Sequence, residues 1–161
     1  MLLRVGQHRV YKGMLLSLRA ATPDDWDATA AHLEVAGLPL AGARDHLMNF
    51  TVAFSAEQLV GTAGLEVYGN TALLRSVSVS SAFQNTGLGS RLVQETLERA
   101  RQLEVREIVL LTETAADYFP RFGFKPILRA TAPAVLSASA EFRGACSDSA
   151  AALHLQLEPL T

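Results

Sequence analysis

Residues 72–89, ALLRSVSVSSAFQNTGLG, contain the stretch that decides the fold. The first half is mostly apolar and predicts a β-strand over Ala72 to Val79, the fourth strand of the domain. The second half places Gly87 and Gly89 directly before a long helical pattern, which predicts a strand-to-helix turn. Such a turn exposes backbone N–H groups at a helix N-terminus, where an anion such as a pyrophosphate binds favourably. The same glycines are equally typical of a tight connection without a ligand.

The helix after this turn has the most regular pattern in the chain. Across Gly87 to Leu103, apolar or small residues recur at helical spacing and predict one face packed on a sheet. Further along, strands and helices alternate, which predicts a mixed sheet. These elements are a strand at Glu107 to Leu111, a helix at Ala115 to Phe122, a strand at Phe124 to Leu128, a helix at Pro133 to Phe142 and a strand at Ala150 to Leu157.

Towards the N-terminus the pattern predicts antiparallel strands around a first helix. Thr22 and Pro23 mark the start of that helix as an N-cap and a proline at the first helical position, and Gly37 follows its end. The elements are a strand at Leu15 to Arg19, a helix to about Ala36, a loop with a short helix over Pro39 to Phe50, and a hairpin of Thr51 to Ser55 with Leu59 to Tyr68.

Length and composition predict one domain spanning residues 1–161. Residues 1–13 are interpreted either as an extension ahead of Met14 or as an extra N-terminal strand or arm. The chain is 49% hydrophobic and its formal net charge is −2, so we expect neither nucleic acid nor a membrane surface as a partner. The single cysteine, Cys146, excludes an internal disulfide and favours a soluble, cytoplasmic protein.

Two motifs on this scaffold resemble the GNAT superfamily of N-acetyltransferases. Val77-Ser78-Val79 and Gln84-Asn85-Thr86-Gly87-Leu88-Gly89 are similar to its Val-x-Val strand and its Gln/Arg-x-x-Gly-x-Gly/Ala turn. The strand at Ile108 to Leu111 and the sequence FPRFGF at residues 119–124 resemble its later aromatic-x-x-x-Gly-Phe segment. The likeness covers Leu15 to Leu157 and implies an α+β GNAT fold, with a mixed, mostly antiparallel central sheet flanked by helices.

This resemblance implies acetyl-CoA as the cofactor and a small-molecule amine as the acetyl acceptor. The backbone around Val77, Ser78 and Val79 is implied to hold the acetyl and pantetheine portion, with Phe119 also beside the cofactor. The pyrophosphate is implied to lie on N–H groups of the turn, at Gln84, Asn85, Thr86, Gly87, Leu88 and Gly89.

A narrower resemblance concerns the ArsN-type branch found with arsenic-resistance genes. It is carried by GLEVYGNTALLRSVSV (64–79), LLTETAADYFPRFGF (110–124) and APAVLSASAEFRGAC (132–146). It implies acetylation of a small amino compound, such as an amino-acid-like arsenical or the related herbicide phosphinothricin. The alternatives are a catalytically idle acetyl-CoA sensor and a peptide or protein N-acetyltransferase.

The amine must lose a proton before it attacks the thioester, so acidic side chains are candidate bases. Glu66, on the third predicted strand, is the first candidate and Glu113 the second, although Glu66 is also interpreted as an outward-facing strand residue. Arg75 lies in an apolar strand, where a buried guanidinium needs an anionic partner. It is interpreted as binding a substrate anion, as pairing with an acid such as Glu66, or as exposed on the alternate face of the strand. Ser76 is expected on the opposite face of a regular strand from Arg75.

A tyrosine in many GNAT enzymes protonates the departing thiolate, but Phe119 occupies that position here. Tyr118 is the candidate acid, although it lies about 100° away around a helix. Arg44 and His46 are interpreted as part of a solvated loop or as residues that reach the site, and Tyr68 as a core-edge or pocket residue. The histidines lack metal-ligand spacing, so we expect no metal, and exposed strand edges late in the chain favour a homodimer.

Overall fold

The computed structural model describes the backbone of residues 7–11 and 14 and all of residues 15–160. Within this part of the chain eight strands form one sheet in the order β1-β2-β3-β4-β5-β6-β8-β7. Only β5 and β6 pair in parallel; the other neighbours are antiparallel. The strands are β1 (Gln7–Tyr11), β2 (Met14–Ala20), β3 (Phe50–Ser55), β4 (Gln58–Tyr68), β5 (Thr71–Val79), β6 (Glu107–Thr112), β7 (Lys125–Ile127) and β8 (Ala151–Gln156).

Two α-helices flank this sheet on opposite faces. The longer helix, α2 (Leu88–Gln102), buries Leu92, Val93 and Leu97 against one face. The shorter helix, α1 (Trp26–Val35), covers the other face together with the 3-10 segment Arg44–Asn49. The mixed, mostly antiparallel sheet flanked by helices confirms the predicted α+β fold class.

The strand β1 lies ahead of the predicted pattern and pairs with β2 in antiparallel register, from Gln7 opposite Leu18 to Tyr11 opposite Met14. This pairing corresponds to the extra N-terminal strand among the two interpretations of residues 1–13. Residues 1–6 and 12–13 lie outside the described residues. Because β1 comes first, the strands carrying Glu66 and residues 72–79 are the fourth and fifth of the sheet rather than the third and fourth.

Close packing across the sheet requires Gly64 in β4. Gly64 lies opposite Phe50 of β3, and a Cβ atom at this position would overlap the Phe50 ring. Phe50 is fully buried in the cluster that α1 covers. Glycine at this position therefore allows the Phe50 ring to pack directly against β4.

Two predicted helices are wrong in type or extent. Residues 115–122 form a turn and a 3-10 segment, Phe119–Phe122, because Pro120 has no N–H to donate to a helical partner. The predicted helix at Pro133 to Phe142 is a 3-10 segment, Ala134–Ala138, followed by a π-type turn, Glu141–Ala145. Ser139 separates these two pieces with extended backbone angles, and its hydroxyl bonds to Glu66.

Among the described residues, no helix combines the length and the apolar character needed to cross a bilayer.

Candidate functional site

A cleft opens where the two parallel strands separate. β5 and β6 are paired only from Thr71 and Glu107 to Leu74 and Leu110, although both strands continue beyond these residues. A cavity of about 640 Å³ lies between the diverging ends and extends to the N-terminus of α2. Because the β6-facing edge of β5 is unpaired beyond Leu74, its backbone N–H and C=O groups are available to a ligand.

A bulge in β5 shapes the upper wall of this cavity. Gly64 pairs with Arg75 and Thr62 with Ser78, so β5 has one more residue than β4 between these pairs. Ser76 takes a positive φ of 57°, and its carbonyl accepts a hydrogen bond of 2.7 Å from Thr62 Oγ1. The expectation that Arg75 and Ser76 lie on opposite faces is therefore wrong. Arg75 Nε donates to Ser76 Oγ at 3.1 Å, and both residues line the cavity.

The turn after β5 presents backbone N–H groups at the start of α2. Asn85 and Gly87 adopt positive φ values of 61° and 87°, which bends the chain sharply before the helix begins at Leu88. The N–H of Gln84 donates to Ser81 O and that of Leu88 to Thr86 Oγ1. Within the described part of the chain no acceptor is found for the N–H groups of Asn85, Thr86, Gly87, Gly89 and Ser90.

Most of the residues that the motif assigned to the cofactor line this cavity. They are Val77, Ser78, Val79, Gln84, Asn85, Gly87, Gly89 and Phe119. The side chains of Thr86 and Leu88 point elsewhere: Thr86 Oγ1 donates to Phe83 O at 2.5 Å, and Leu88 is fully buried in the core. Ser90 also lines the cavity, and its place at the start of α2 was the signal that would have identified it.

Tyr118 and Phe119 take different environments in the turn after β6. Phe119 is only 6% exposed and packs edge-on against Phe124, with ring centroids 5.9 Å apart. Tyr118 lines the cavity, and its hydroxyl lies 3.2 Å from the point where a Cβ of Gly89 would be. Arg121, which the sequence analysis missed, lines the cavity and stacks on the Tyr118 ring at 4.1 Å. The i to i+3 spacing of Tyr118 and Arg121 was the available signal.

Glu66 is buried and its carboxylate is bound by several side chains. It is 1% exposed, so the interpretation of Glu66 as an outward-facing residue is wrong. Its Oε2 accepts from Arg75 Nη1 at 2.8 Å and from Ser139 Oγ at 3.2 Å. Tyr68 Oη donates to Oε1 at 2.5 Å, and burial together with this bond raises the pKa of Tyr68. Glu66 is not part of the cavity wall.

Of the two candidate loop residues, only His46 reaches this cluster. His46 Nε2 lies 3.5 Å from Glu66 Oε1, and its ring meets Tyr68 edge-on at 5.8 Å. The Arg44 guanidinium instead lies over the Trp26 ring at 5.6 Å. The 3-10 segment that carries both residues turns their side chains in different directions, which sequence spacing alone did not indicate.

Arg75 forms the salt bridge that the sequence analysis left open. Its side chain is fully buried, and Glu66 is its closest carboxylate. Its guanidinium also donates to the carbonyls of Pro39 and Ala41 at 2.9 Å each, which ties the loop after α1 to the sheet. The anionic partner of Arg75 in this structure is therefore a carboxylate of its own chain.

A second buried carboxylate, Glu141, was missed by the sequence analysis. Its Oε2 lies 3.8 Å from Arg75 Nε, and Cys146 Sγ donates to its Oε1 at 3.1 Å. Burial, and to a smaller extent the nearby Glu66 charge, raise the pKa of Glu141. Burial and the bond to Glu141 raise the pKa of Cys146 to about 12. The available signal was a single acid in the stretch ASAEFRGA, in which most of the other residues are small.

Glu113, the remaining acidic candidate, is exposed just after β6 and lines the same cavity. Among the described residues there is no group of three or more His, Cys, Asp or Glu side chains placed to hold a metal ion.

Comparison with known proteins relates this architecture to acetyltransferases. The model of the acetyltransferase (GNAT) family matches residues 13–124. An uncharacterised N-acetyltransferase of Chlorobaculum tepidum, CT2212, is 31% identical over 84 residues, which are 52% of this chain and 54% of that protein. The chain thus spans about half the length of the curated relative it matches.

Among solved structures, N-acetylglutamate synthase of Neisseria gonorrhoeae with coenzyme A and N-acetyl-glutamate has a TM-score of 0.75 at 22% identity, over 89% of this chain and 35% of that one. Rv2747 of Mycobacterium tuberculosis with coenzyme A has a TM-score of 0.71 at 21% identity, over 88% and 99%. PaiA N-acetyltransferase of Thermoplasma acidophilum with coenzyme A has a TM-score of 0.66 at 13% identity, over 88% of this chain and 99% of that one. At these identities the likeness concerns the fold.

Proposed function

The chain belongs to the acetyltransferase (GNAT) family, and on this premise we propose that it transfers the acetyl group of acetyl-CoA to the amine of a small molecule. The observation that carries the proposal is the set of N–H groups without an acceptor at the start of α2, beside the gap between β5 and β6. Fixed N–H groups at a helix N-terminus bind phosphate oxygens, and the helix dipole adds to the attraction. Structural relatives from three organisms contain coenzyme A.

The residues present fit the shape and chemistry of this cofactor. A side chain at Gly89 would fill the space between Val79 and the Tyr118 hydroxyl, so glycine leaves room for a ligand there. The unpaired edge of β5 at Val77, Ser78 and Val79 offers hydrogen bonds to the amides of a pantetheine arm. Bound acetyl-CoA supplies an acyl group activated as a thioester.

We assign to Tyr118 the protonation of the thiolate that leaves. Its hydroxyl lies on the cavity wall close to Gly89, whereas the neighbouring Phe119 has no proton to give. A thiol has an ordinary pKa near ~8.5, so the reaction is expected to slow rather than stop without this acid. Tyr118→Phe should lower turnover and leave coenzyme A affinity close to that of the wild type.

The proposed acceptor site contains Glu113 and Arg75 on the cavity wall, with Glu66 behind Arg75. Because Glu66 does not line the cavity, it could act as a base only through a relay by water or a neighbouring side chain. We propose an amino-acid-like acceptor, arsenical or phosphinothricin-like, and a cytoplasmic role in arsenic resistance. The support is the sequence resemblance of residues 64–79, 110–124 and 132–146 to the ArsN-type branch.

The test is a thiol-release assay with acetyl-CoA and a panel of amino acids, phosphinothricin and its arsenical analogue. Calorimetric titration with coenzyme A is run on the same preparation. We expect micromolar coenzyme A binding and turnover of at least one panel member, with Glu57→Gln in the β3–β4 turn as a surface control. Binding without any transfer would indicate a sensor, and no binding would refute the proposal.

The substrate roles of Arg75 and Glu66 are tested with Arg75→Ala and Glu66→Gln in this assay. If Arg75 contacts a substrate anion, Arg75→Ala should raise KM for anionic amino acids and leave KM for uncharged amines unchanged. An equal change for both classes would show that Arg75 acts only through the buried ion pair.

We also propose a single domain that forms a homodimer through the short edge strand β7, the last strand in the sheet order. Three residues on β7 are too few for a stable strand pair alone, so neighbouring apolar side chains such as Leu128, which is 74% exposed, would have to contribute. Sedimentation equilibrium of the wild type and of Leu128→Lys tests this: a dimer that becomes monomeric supports it, and a wild-type monomer refutes it.

A further inference from the structure

Two buried carboxylates share one guanidinium beside the cavity. Glu66, Glu141 and Arg75 are each at most 5% exposed. Arg75 Nη1 lies 2.8 Å from Glu66, within hydrogen-bonding distance, whereas Arg75 Nε lies 3.8 Å from Glu141, outside it. With both acids ionised, this trio therefore contains one negative charge more than it contains positive charge. The unmatched carboxylate is Glu141.

Of these two carboxylates, only Glu141 lines the cavity. Glu141 and Cys146 form part of the same wall as Arg75 and Ser76, whereas Glu66 lies behind it. Glu66 is held by Arg75, Ser139 and Tyr68, but among the described side chains only the Cys146 thiol donates a hydrogen bond to Glu141. A thiol is a weak donor, so the Glu141 carboxylate retains the capacity to bind a stronger one.

An unmatched carboxylate in a poorly solvated wall attracts a cation and competes for its proton. A small-molecule amine enters at neutral pH as an ammonium group, which has three N–H donors and one positive charge. Its positive charge would balance the second carboxylate of the Glu66–Arg75–Glu141 trio. The same contact therefore places the group that must lose a proton against the group able to accept it.

We infer that Glu141 receives the ammonium group of the acceptor amine and accepts the proton that this group loses before it attacks. The inference rests on the proposed acetyl transfer and assigns its base. One N–H bond of the ammonium breaks and an O–H bond forms on Glu141. The nitrogen lone pair then forms the C–N bond as the C–S bond breaks and its electron pair leaves with sulfur. The second nitrogen proton is released, sulfur takes a proton, and Glu141 returns its own to solvent.

The titration of Glu141 depends on the groups that surround it. Arg75 faces it from β5, Glu66 from β4 and Cys146 from its own segment. Arg129 donates to its backbone carbonyl at 3.3 Å. Ser139 Oγ accepts from the Glu141 backbone N–H at 3.2 Å and donates to Glu66, and His46 and Tyr68 contact Glu66.

The test compares wild type, Glu141→Gln, Cys146→Ala and the surface control Glu57→Gln over pH 6–10, using the panel amine with the highest turnover. At pH 7, Glu141→Gln should lower kcat/KM by about 100-fold or more, in the range found for loss of a base. This deficit should shrink above the pKa of the substrate amine, since a neutral amine needs no acceptor. Coenzyme A affinity should remain unchanged.

Cys146→Ala keeps the carboxylate and removes only the donor that favours its charged form. The acidic limb of its kcat/KM profile should therefore move to higher pH, while Glu57→Gln should match the wild type. Glu141→Gln should also melt at pH 8 at a temperature no lower than the wild type, because the fold opposes ionisation of this group.

The inference is refuted if Glu141→Gln retains wild-type kcat/KM at pH 7, or if its loss is the same at every pH. It is also refuted if Cys146→Ala leaves the acidic limb in place. A wild-type protein that binds coenzyme A but acetylates no panel amine would instead overturn the proposed function, so the two failures are distinguishable.

Discussion

At the scale of single residues, Arg75 joins parts of the chain that are far apart in sequence. Its guanidinium contacts Glu66 in β4 and the carbonyls of Pro39 and Ala41 after α1. Removing one partner of a buried ion pair leaves the other charge without compensation, which costs about 3–5 kcal/mol. We expect Arg75→Ala to lower the free energy of unfolding in urea by this amount.

The matched comparison for Arg75→Ala is the double variant with Glu66→Gln. If the buried charge is the cause, the double variant should recover part of the loss, and the two effects will not be additive. A loss below about 1 kcal/mol in Arg75→Ala would instead mean that this pair behaves like a solvated surface ion pair.

Ser76 has a backbone conformation that β-branched side chains rarely adopt. Its φ of 57° lies in the left-handed region, where a branched Cβ clashes with the backbone. We expect Ser76→Val to reduce the free energy of unfolding by about 1–3 kcal/mol, measured in urea. Ser78→Val, on the same strand at an ordinary φ, should cost less than half as much; equal losses would contradict a strained bulge.

Sequence reasoning succeeded at the site where local pattern was sufficient. It gave a salt bridge from Arg75 to Glu66 as one of several interpretations, because a buried charge in an apolar strand requires a partner, and the structure contains this pair. It placed Ser76 on the wrong face because a bulge changes the alternation of side chains and leaves no distinct mark in the residues. It missed Glu141 because the bond from Ser139 to Glu66 interrupts the helix that the spacing predicted.

At the scale of elements, the start of α2 depends on the absence of a side chain at Gly89. A Cβ there would lie 3.2 Å from Tyr118 Oη and 3.6 Å from Val79 Cγ2, within the proposed path of the cofactor. Gly89 lies in the helix with an ordinary φ, so alanine should not lower stability. We expect Gly89→Ala to weaken coenzyme A binding by at least about tenfold, or 1.4 kcal/mol, in calorimetric titration.

The control for Gly89→Ala is Gln94→Ala, on the exposed face of the same helix. It should leave coenzyme A affinity unchanged. Unaltered affinity in Gly89→Ala would mean that the ligand does not approach the backbone of this turn.

Elements with strong periodicity were predicted well, and those determined by tertiary contacts were not. The pattern of Leu88, Leu92, Thr96 and Ala100 predicted α2 to within about a residue, since its buried face is continuous. The segment after β7 has little apolar periodicity, and single bonds such as that from Arg129 to Ser147 shape it. Bonds of this kind become visible only when the chain is folded.

At the scale of the whole molecule, acid stability should depend on Asp25, which connects the first helical turn to the sheet. Arg19 donates to it at 2.6 and 2.9 Å, and this hydrogen bonding lowers the pKa of Asp25. A carboxyl group whose pKa is lowered in the folded state stabilises the fold at pH values above its ordinary pKa near ~3.9. This stabilisation is lost as the pH falls through the lower, folded-state pKa. We therefore expect Asp25→Asn to melt a few degrees lower than wild type at pH 7, which corresponds to a loss of about 1 kcal/mol in the free energy of unfolding.

That difference in melting temperature should disappear as the pH falls well below 4, where both proteins lack the charge. Asp27→Asn, in the first turn of α1 and without an ion pair among the described residues, provides the comparison. A deficit in Asp25→Asn that stays constant down to pH 2 would show that packing, not ionisation, is responsible.

The mixed character of the sheet could be anticipated from the sequence, but its full strand order and its outer edge could not. Alternating strands and helices after β5 required a parallel pair and hence a mixed sheet, which the pairing of β5 with β6 confirms. β1 lies outside the resembling segment, and no turn signal distinguished a paired strand from a free arm at residues 7–11.

Because β5 and β6 separate after Leu74, the melting temperature of this protein should respond strongly to a ligand bound between them. A ligand that fills such a wedge binds the folded chain alone and so opposes melting through mass action, by about 2.7 kcal/mol at a concentration 100 times its Kd. For a chain of 161 residues this corresponds to an upward shift of several degrees in melting temperature. A dye-based melting screen of nucleotides and thioesters could thus rank its natural ligands before any reaction is known.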